Sequence, residues 1–459
     1  MGFLDKNFLM KSELARSLFN RYCKDLPIYD YHCHLSSEDI YNDKPFNNLY
    51  EVWLKGDHYK WRLMRFNGIR EDKITGDVDP YECFVSYVKS VERAIDNPLY
   101  HWSHLELKRC FNIDEVINTE NMDIIWNKAN DYITKNQYSP RKAIREFKVD
   151  TIITTDEASA TLEYHRLIAN DKNFKTRVLP AMRADKIVNL DQLAIKKLGE
   201  VTGGDIFDLS DMQQRLINQI NMFDKAGAVV SDMAFEGFYY CPCDYEVASK
   251  VYNKAAANEK LSIQDIDHFK TYMMLFLMRE YYGKDWAVQL HIGAKRNNNT
   301  ALYNRLGADV GADSISDNNY IEGINRLFDQ LSSEKILGKT ICYNLNPTDN
   351  YQLLTTLGNF ANDKARMQMG IAWWFNDNKY GIERMMKDYA SLSHFGNFLG
   401  MLTDSRSFIS YTRHEFFRRL LCNYVASLVE DGEYPNDIKL LGELVQNISF
   451  GNAIHYFTK

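Results

Sequence analysis

The stretch Pro27-Ile28-Tyr29-Asp30-Tyr31-His32-Cys33-His34-Leu35 decides the reading of the fold. It is an apolar run that ends in two histidines two residues apart. In a strand, alternate side chains share a face. Asp30, His32 and His34 are therefore expected on one side, with Tyr29, Tyr31 and Cys33 on the other. Two imidazoles at one strand end can grip a metal ion from a single side. A second apolar run far down the chain, Leu402-Thr403-Asp404-Ser405-Arg406, ends in a carboxylate.

Working outward, short apolar runs recur at residues 28–34, 151–155, 178–182, 228–232, 287–291, 340–343, 369–373 and 398–403. Segments with helical periodicity lie between most of them, such as 319–331 and 381–392. Strands alternating with helices indicate parallel βαβ units. Eight such runs predict an α/β fold of the distorted (β/α)8 barrel type. Two gaps exceed a minimal barrel. The first, after strand one at about residues 36–145, is rich in Trp, Tyr and charge and has helical periods at 86–95 and 123–133. It reads as a helical insertion over the barrel mouth. The second, 242–283, also reads as helical. A helix over 12–25, with Ser12 as N-cap, is expected before strand one. A helix over 412–430 is expected to be the last of the barrel. No repeat, low-complexity segment or linker interrupts the chain, so residues 1–459 are expected to form a single domain.

Composition narrows the function classes. Of the 459 residues, 45% are hydrophobic and 25% charged, the balance of a globular protein. A net charge of −7 argues against nucleic acid as the main partner, because phosphate binding needs a basic face. A small anionic substrate needs only a few placed cations. No run of about 18 apolar residues exists, so no membrane partner is expected. The first ten residues lack the apolar core and cleavage site of a secretion signal. Lys6 stands where a myristoylation signal needs Ser or Thr. The 8 cysteines show no paired framework, and free thiols in a cytoplasmic protein are expected. Cys241-Pro242-Cys243 is the one close pair, and it lacks the second pair of a zinc site.

The active site of a (β/α)8 barrel lies at the C-terminal strand ends. Those ends collect His32, His34, Asp156, Arg183, Asp232, His291, Trp373, Trp374, Asp404 and Arg406. Strands one and eight become neighbours on closure, so His32, His34 and Asp404 can face one point. Two imidazoles and a carboxylate suit a divalent ion of the zinc type. No lysine at the end of a middle strand is available as a bridge, so one ion is expected. Arg183, Lys295, Arg296 and Arg406 supply cations. Arginine recognises carboxylates with a rigid fork, which points to an anionic, oxygen-rich substrate. Gly56-Asp57-His58-Tyr59-Lys60-Trp61-Arg62 lies in the insertion. Periodicity alone makes it the start of an exposed helix. Its density of functional side chains is also that of a lid. Trp373-Trp374-Phe375 suits either the core or a stacking face for a sugar ring.

Longer stretches carry a resemblance. Residues 29–35 (YDYHCHL), 53–62 (WLKGDHYKWR), 97–102 (NPLYHW), 291–299 (HIGAKRNNN), 373–377 (WWFND) and 401–408 (MLTDSRSF) resemble the uronate isomerases, also called glucuronate isomerases. This family belongs to the amidohydrolase superfamily, and the resemblance runs from Phe8 to near the C-terminus. It implies a distorted barrel with an extra helical region. It also implies reversible conversion of D-glucuronate to D-fructuronate and of D-galacturonate to D-tagaturonate. By the same resemblance, His32, His34 and Asp404 would hold a zinc-type ion. Tyr59, Asp404 and Arg406 would serve proton transfer and polarise the substrate. His58, Arg183, His291, Arg296, Trp373 and Trp374 would line the substrate site. A homo-oligomer is expected. Two departures stand out. Arg183-Ala184-Asp185 replaces the family's Arg-Pro-Asp, and Ser231-Asp232-Met233 replaces Ser-Asp-His.

Two rivals remain at this level. A metal-dependent hydrolase on the same scaffold would use the ion to make hydroxide. The metal triad alone allows it, while the arginine cluster and the Tyr59 lid favour the isomerase. A sugar-acid binding protein would carry a secretion signal or a regulatory module, and neither is visible.

Overall fold

Seven of the apolar runs form parallel strands in the computed structural model, which describes residues 3–458. They are β1 Ile28–Cys33, β2 Val149–Glu157, β3 Arg177–Arg183, β4 Val230–Phe235, β5 Ala287–Ile292, β6 Thr340–Asn344 and β7 Met367–Met369. Each lies beside the next in chain order within one sheet. All residues of β1, β5 and β6 are buried. Strands covered on both faces read as continuous apolar runs, which is why the sequence displays them so clearly.

The eighth run departs from expectation. Residues 398–403 are not a strand. Gly400 and Asp404 adopt left-handed backbone at φ +73° and +43°, which breaks a regular ladder. Main-chain bonds still seat this segment beside β1. Asp404 N–H donates to His32 O at 3.1 Å, and His34 N–H to Ser405 O at 2.9 Å. Among the described residues no main-chain bond joins the segment to β7. The Trp373 indole spans that gap to Asp404 at 3.0 Å. The seventh strand lies earlier than expected, sharing only Met369 with the run at 369–373. Gly370 ends β7 against the Tyr343 ring, where a Cβ would lie 1.9 Å from Cε1.

Helices from Ser37–Asn42 to Pro140–Glu146 fill the interval between β1 and β2. Their own apolar cluster includes Trp53, Phe84, Tyr87 and Tyr138, and it reaches Ile28, Cys33 and Ile152 of the sheet. Residues 242–283 carry helices Tyr245–Ala256 and Ile263–Gly283, the second opened by a Ser262–Asp265 capping box. Ser12 caps the helix Glu13–Leu18, which continues as a π-turn over Phe19–Cys23. Helix Thr412–Glu430 has the expected bounds, and two more helices, Ile438–Gln446 and Asn452–Phe457, follow it. A short ribbon, Ala294–Lys295 with Ser314–Ile315, rises after β5 and encloses a helix, Thr300–Leu306. Among the described residues no helix is long and apolar enough to cross a membrane.

Candidate active site

The strand ends open into a cavity of about 680 Å³. The residues that the resemblance assigns to the site all line it: His32, His34, His58, Tyr59, Arg183, His291, Arg296, Trp373, Trp374, Asp404 and Arg406. β1 does not alternate strictly, because its register with β2 slips between Asp30 and Cys33. His32 and His34 nonetheless meet one atom. His32 Nε2 lies 3.3 Å and His34 Nε2 3.2 Å from Asp404 Oδ1. Trp373 Nε1–H donates to the other oxygen. Burial opposes a charge on Asp404, but hydrogen bonds from His32 and His34 outweigh it and hold the carboxyl well below the usual range. Burial depresses His34. His32 is raised, because Asp232 and then Asp404 overcome the effect of burial.

Deeper in the barrel, β3, β4 and β5 align a charged row. Arg183 pairs in register with Asp232 of β4, whose neighbour on β5 is Gln289. His291 Nδ1 is 2.7 Å from Asp232 Oδ1, and Arg183 Nη1 is 3.4 Å from Oδ2. Asp232 is fully buried, yet Arg183, His291 and His32 more than offset that burial and keep it ionised. A neutral His291 thus donates Nδ1–H to Asp232 and keeps a lone pair on Nε2. That buried Nε2 has no hydrogen-bond partner among the described residues. The ring stacks on Tyr343 at 4.3 Å and lies 4.7 Å from His32.

The insertion delivers Tyr59 through local geometry. Asp57 caps helix His58–Phe66 by accepting from Tyr59 N and Lys60 N. The buried Lys60 ammonium roots that turn below, donating to Trp53 O at 2.9 Å and pairing with Asp57 at 3.2 Å. Arg62 fastens the same helix to the ribbon through the carbonyls of Gly311 and Asp313. Tyr59 is therefore not on a solvated helix. Its ring lies 6.3 Å from Trp374. Burial and then Asp404 raise its phenol far above the ordinary value, with Arg413 opposing.

The outer cations are less buried. Arg296 lies flat over Trp374 at 4.5 Å and pairs with Asp313 at 3.1 Å. Arg406 pairs with Asp309 at 2.8 Å. Trp374 is a second left-handed residue at the site, with φ +52°. Left-handed backbone costs a bulky residue energy, and here that cost falls beside the cavity.

Not every candidate converges. Asp156 turns to His165 and Thr154, outside the cavity lining. Lys295 is exposed on the ribbon and does not line the cavity. Arg413 and Asp309, which carry no motif, also line it, as does Asp57 of the lid stretch, whose own role the sequence does not single out. Asp57 carried a usable signal, an N-cap aspartate directly before the His-Tyr pair. Arg413 is the second residue of helix Thr412–Glu430 and carries no such signal.

The donor set fits a metal ion. The ligand atoms of His32, His34 and Asp404 lie within 4.8 Å of one another, and His32, Asp232 and His291 form a second such group. Two imidazole nitrogens with a carboxylate oxygen are suitable ligands for a borderline divalent ion.

A family profile described as Glucuronate isomerase matches residues 1–457. The chain belongs to the glucuronate isomerase family. It is 48% identical to the uronate isomerase of Caldanaerobacter subterraneus subsp. tengcongensis over 99% of both chains. It is 45% identical to that of Caldicellulosiruptor saccharolyticus, again over 99% of both. The crystal structure of uronate isomerase from Thermotoga maritima superposes with a TM-score of 0.92 at 35% identity, covering 100% of each chain. Ala184 and Met233 are fully buried in the apolar core, while their neighbours Arg183, Asp185 and Asp232 keep their ion pairs.

Proposed function

We propose that the chain interconverts aldo- and ketouronates, D-glucuronate with D-fructuronate and D-galacturonate with D-tagaturonate, through an enediol. One observation carries the reading: Asp404 and Tyr59, two groups able to move protons, line the same cavity as Arg183, Arg296 and Arg406. Hydrolysis has no use for so many cations around one carboxylate.

In this reading Arg296 binds the C6 carboxylate with the edge of its fork, and the Trp373–Trp374 pair and His58 pack on the sugar chain. Asp404 carries the carbon-bound proton from C2 to C1. Tyr59 carries the hydroxyl proton from O2 to O1. Arg406 stabilises negative charge on the substrate oxygen as the enediolate forms. His291, held by Asp232 and Arg183, offers a lone pair to a substrate hydroxyl. His32, His34 and Asp404 would hold one divalent ion, of which zinc is the best fit, and the ion would polarise and orient the substrate oxygens. The chain works as one barrel with its helical insertion as a docked lid, in the cytoplasm, as a homo-oligomer.

The test is direct. Purified protein given D-glucuronate should form ketouronate, and in heavy water the product should carry deuterium at C1 at least in part, to the extent that Asp404 exchanges its proton with solvent before returning it. Absence of ketouronate from zinc-supplemented protein would remove the reading.

A further inference from the structure

Arg413 is the second residue of helix Thr412–Glu430, and it is only 3% exposed. It still lines the cavity. A buried guanidinium is ordinarily held by several bonds, as the buried Arg418 is by the carbonyls of Cys23, Leu26 and Pro27. Arg413 is held sparsely. Nη1 donates to Thr403 O at 2.7 Å and lies 3.6 Å from Asp377 Oδ2. Its Nε has no partner among the described residues. Ring contacts complete the site, with the ring centres of Trp102 at 4.2 Å and Tyr59 at 5.8 Å from the guanidinium carbon.

These few contacts have a common sense. Thr403 is the residue before Asp404, at the start of the left-handed turn. Tyr59 comes from the lid, more than half a barrel away in sequence. Among the described residues, Arg413 is the cation that bonds to Thr403 O and lies over the Tyr59 ring. We propose that Arg413 is a positioning residue of the site: one N–H holds the Thr403–Asp404 turn, and the guanidinium face holds the Tyr59 ring. The two groups that carry protons are thereby kept in register with each other. A fixed cation beside the phenol also gains attraction as the hydroxyl proton departs, because the ring becomes more negative. The role rests on the isomerase reading above.

The experiment compares wild type, Arg413→Met and Arg413→Lys with D-glucuronate, alongside melting temperature and metal content. Without wild-type turnover the isomerase reading falls and this role falls with it. With wild-type turnover, Arg413→Met should lower kcat about 100-fold while changing KM less than about threefold, at unchanged metal content. Arg413→Lys keeps the charge but loses the fork, and should recover about tenfold of that loss. A kcat for Arg413→Met within about threefold of wild type overturns the proposal and leaves the isomerase reading intact. A rise in KM alone also overturns it, since Arg413 would then be a substrate-binding group. Should Arg413→Met fail to fold, Arg413→Lys decides. A fall of about tenfold in kcat, at unchanged KM and melting temperature, supports the role. Wild-type kcat in Arg413→Lys overturns it.

Discussion

Asp30 of β1 accepts two hydrogen bonds from Thr403, one from its N–H at 2.8 Å and one from its hydroxyl at 2.6 Å. The carboxylate is wholly buried. It fastens the segment that carries Asp404 to the strand that carries His32 and His34, where no regular ladder closes the barrel. Thr403→Val keeps the shape and deletes the hydroxyl, leaving a buried carboxylate oxygen without its partner. Stability should fall by about 1–3 kcal/mol, and metal should be held more weakly. Equal unfolding midpoints and equal metal content in the two proteins would refute this account of the seam.

The metal set is tested by His32→Asn. Removing one of two imidazoles that meet Asp404 should strip most of the bound divalent ion. Elemental analysis of protein purified in parallel checks it, and undiminished metal in the variant would reassign the ligands.

Arg296 rests on Trp374 with part of its fork free, so its value should lie in substrate charge rather than in folding. Arg296→Met is expected to cost about 1.5–3 kcal/mol in kcat/KM for D-glucuronate, roughly ten- to hundredfold. The melting temperature should barely move. A kcat/KM equal to wild type would take Arg296 out of the site.

Tyr59→Phe removes only the hydroxyl and keeps the ring between His58 and Trp374. Turnover should slow by about two orders of magnitude, within the range of one acid–base group. Full activity in this variant would move the hydroxyl proton to another carrier.

Acid should loosen the insertion through His104. Its Nδ1–H donates to Tyr100 O at 2.6 Å, and its Nε2 accepts from Ile117 N–H at 2.8 Å. Protonating Nε2 would set two N–H groups against each other. Burial, with the Tyr100 bond opposing, lowers this imidazole from 6.5 to about 4. The unfolded chain therefore binds the extra proton first. The stabilisation is complete above pH 6.5 and is lost as pH falls toward 4, by on the order of 2 kcal/mol. Unfolding midpoints measured across that window should drop in wild type and flatten in His104→Gln. Parallel curves for the two proteins would exclude His104 as the cause.

The legible part of the fold was the part written in burial. Strands covered on both faces announced themselves as apolar runs, and helix Thr412–Glu430 matched its periodicity to the residue. The eighth run looked the same by composition. Its failure to form a strand depends on the backbone signs of Gly400 and Asp404, which no apolar count reveals. Asp156 and Asp232 were indistinguishable as strand-end aspartates. A two-residue periodicity cannot say which one faces inward, and only pairing with β3 and β5 turned Asp232 toward His291. Arg413 was hidden because a cation in the first turn of a helix usually meets solvent. The ribbon after β5, with Asp309 on it, has no periodic signature at all.

The seam between β1 and the Asp404 segment also sets an order of events in synthesis. Asp30 and Thr403 are separated by 373 positions. At ribosomal rates of about 5–20 residues per second, the histidine pair emerges on the order of tens of seconds before its carboxylate partner exists. Throughout that interval β1 can pair with β2 but cannot assemble the three-ligand site. Loading of the ion belongs to the end of translation or after it, and a nascent chain that halts before residue 404 is a barrel without its centre.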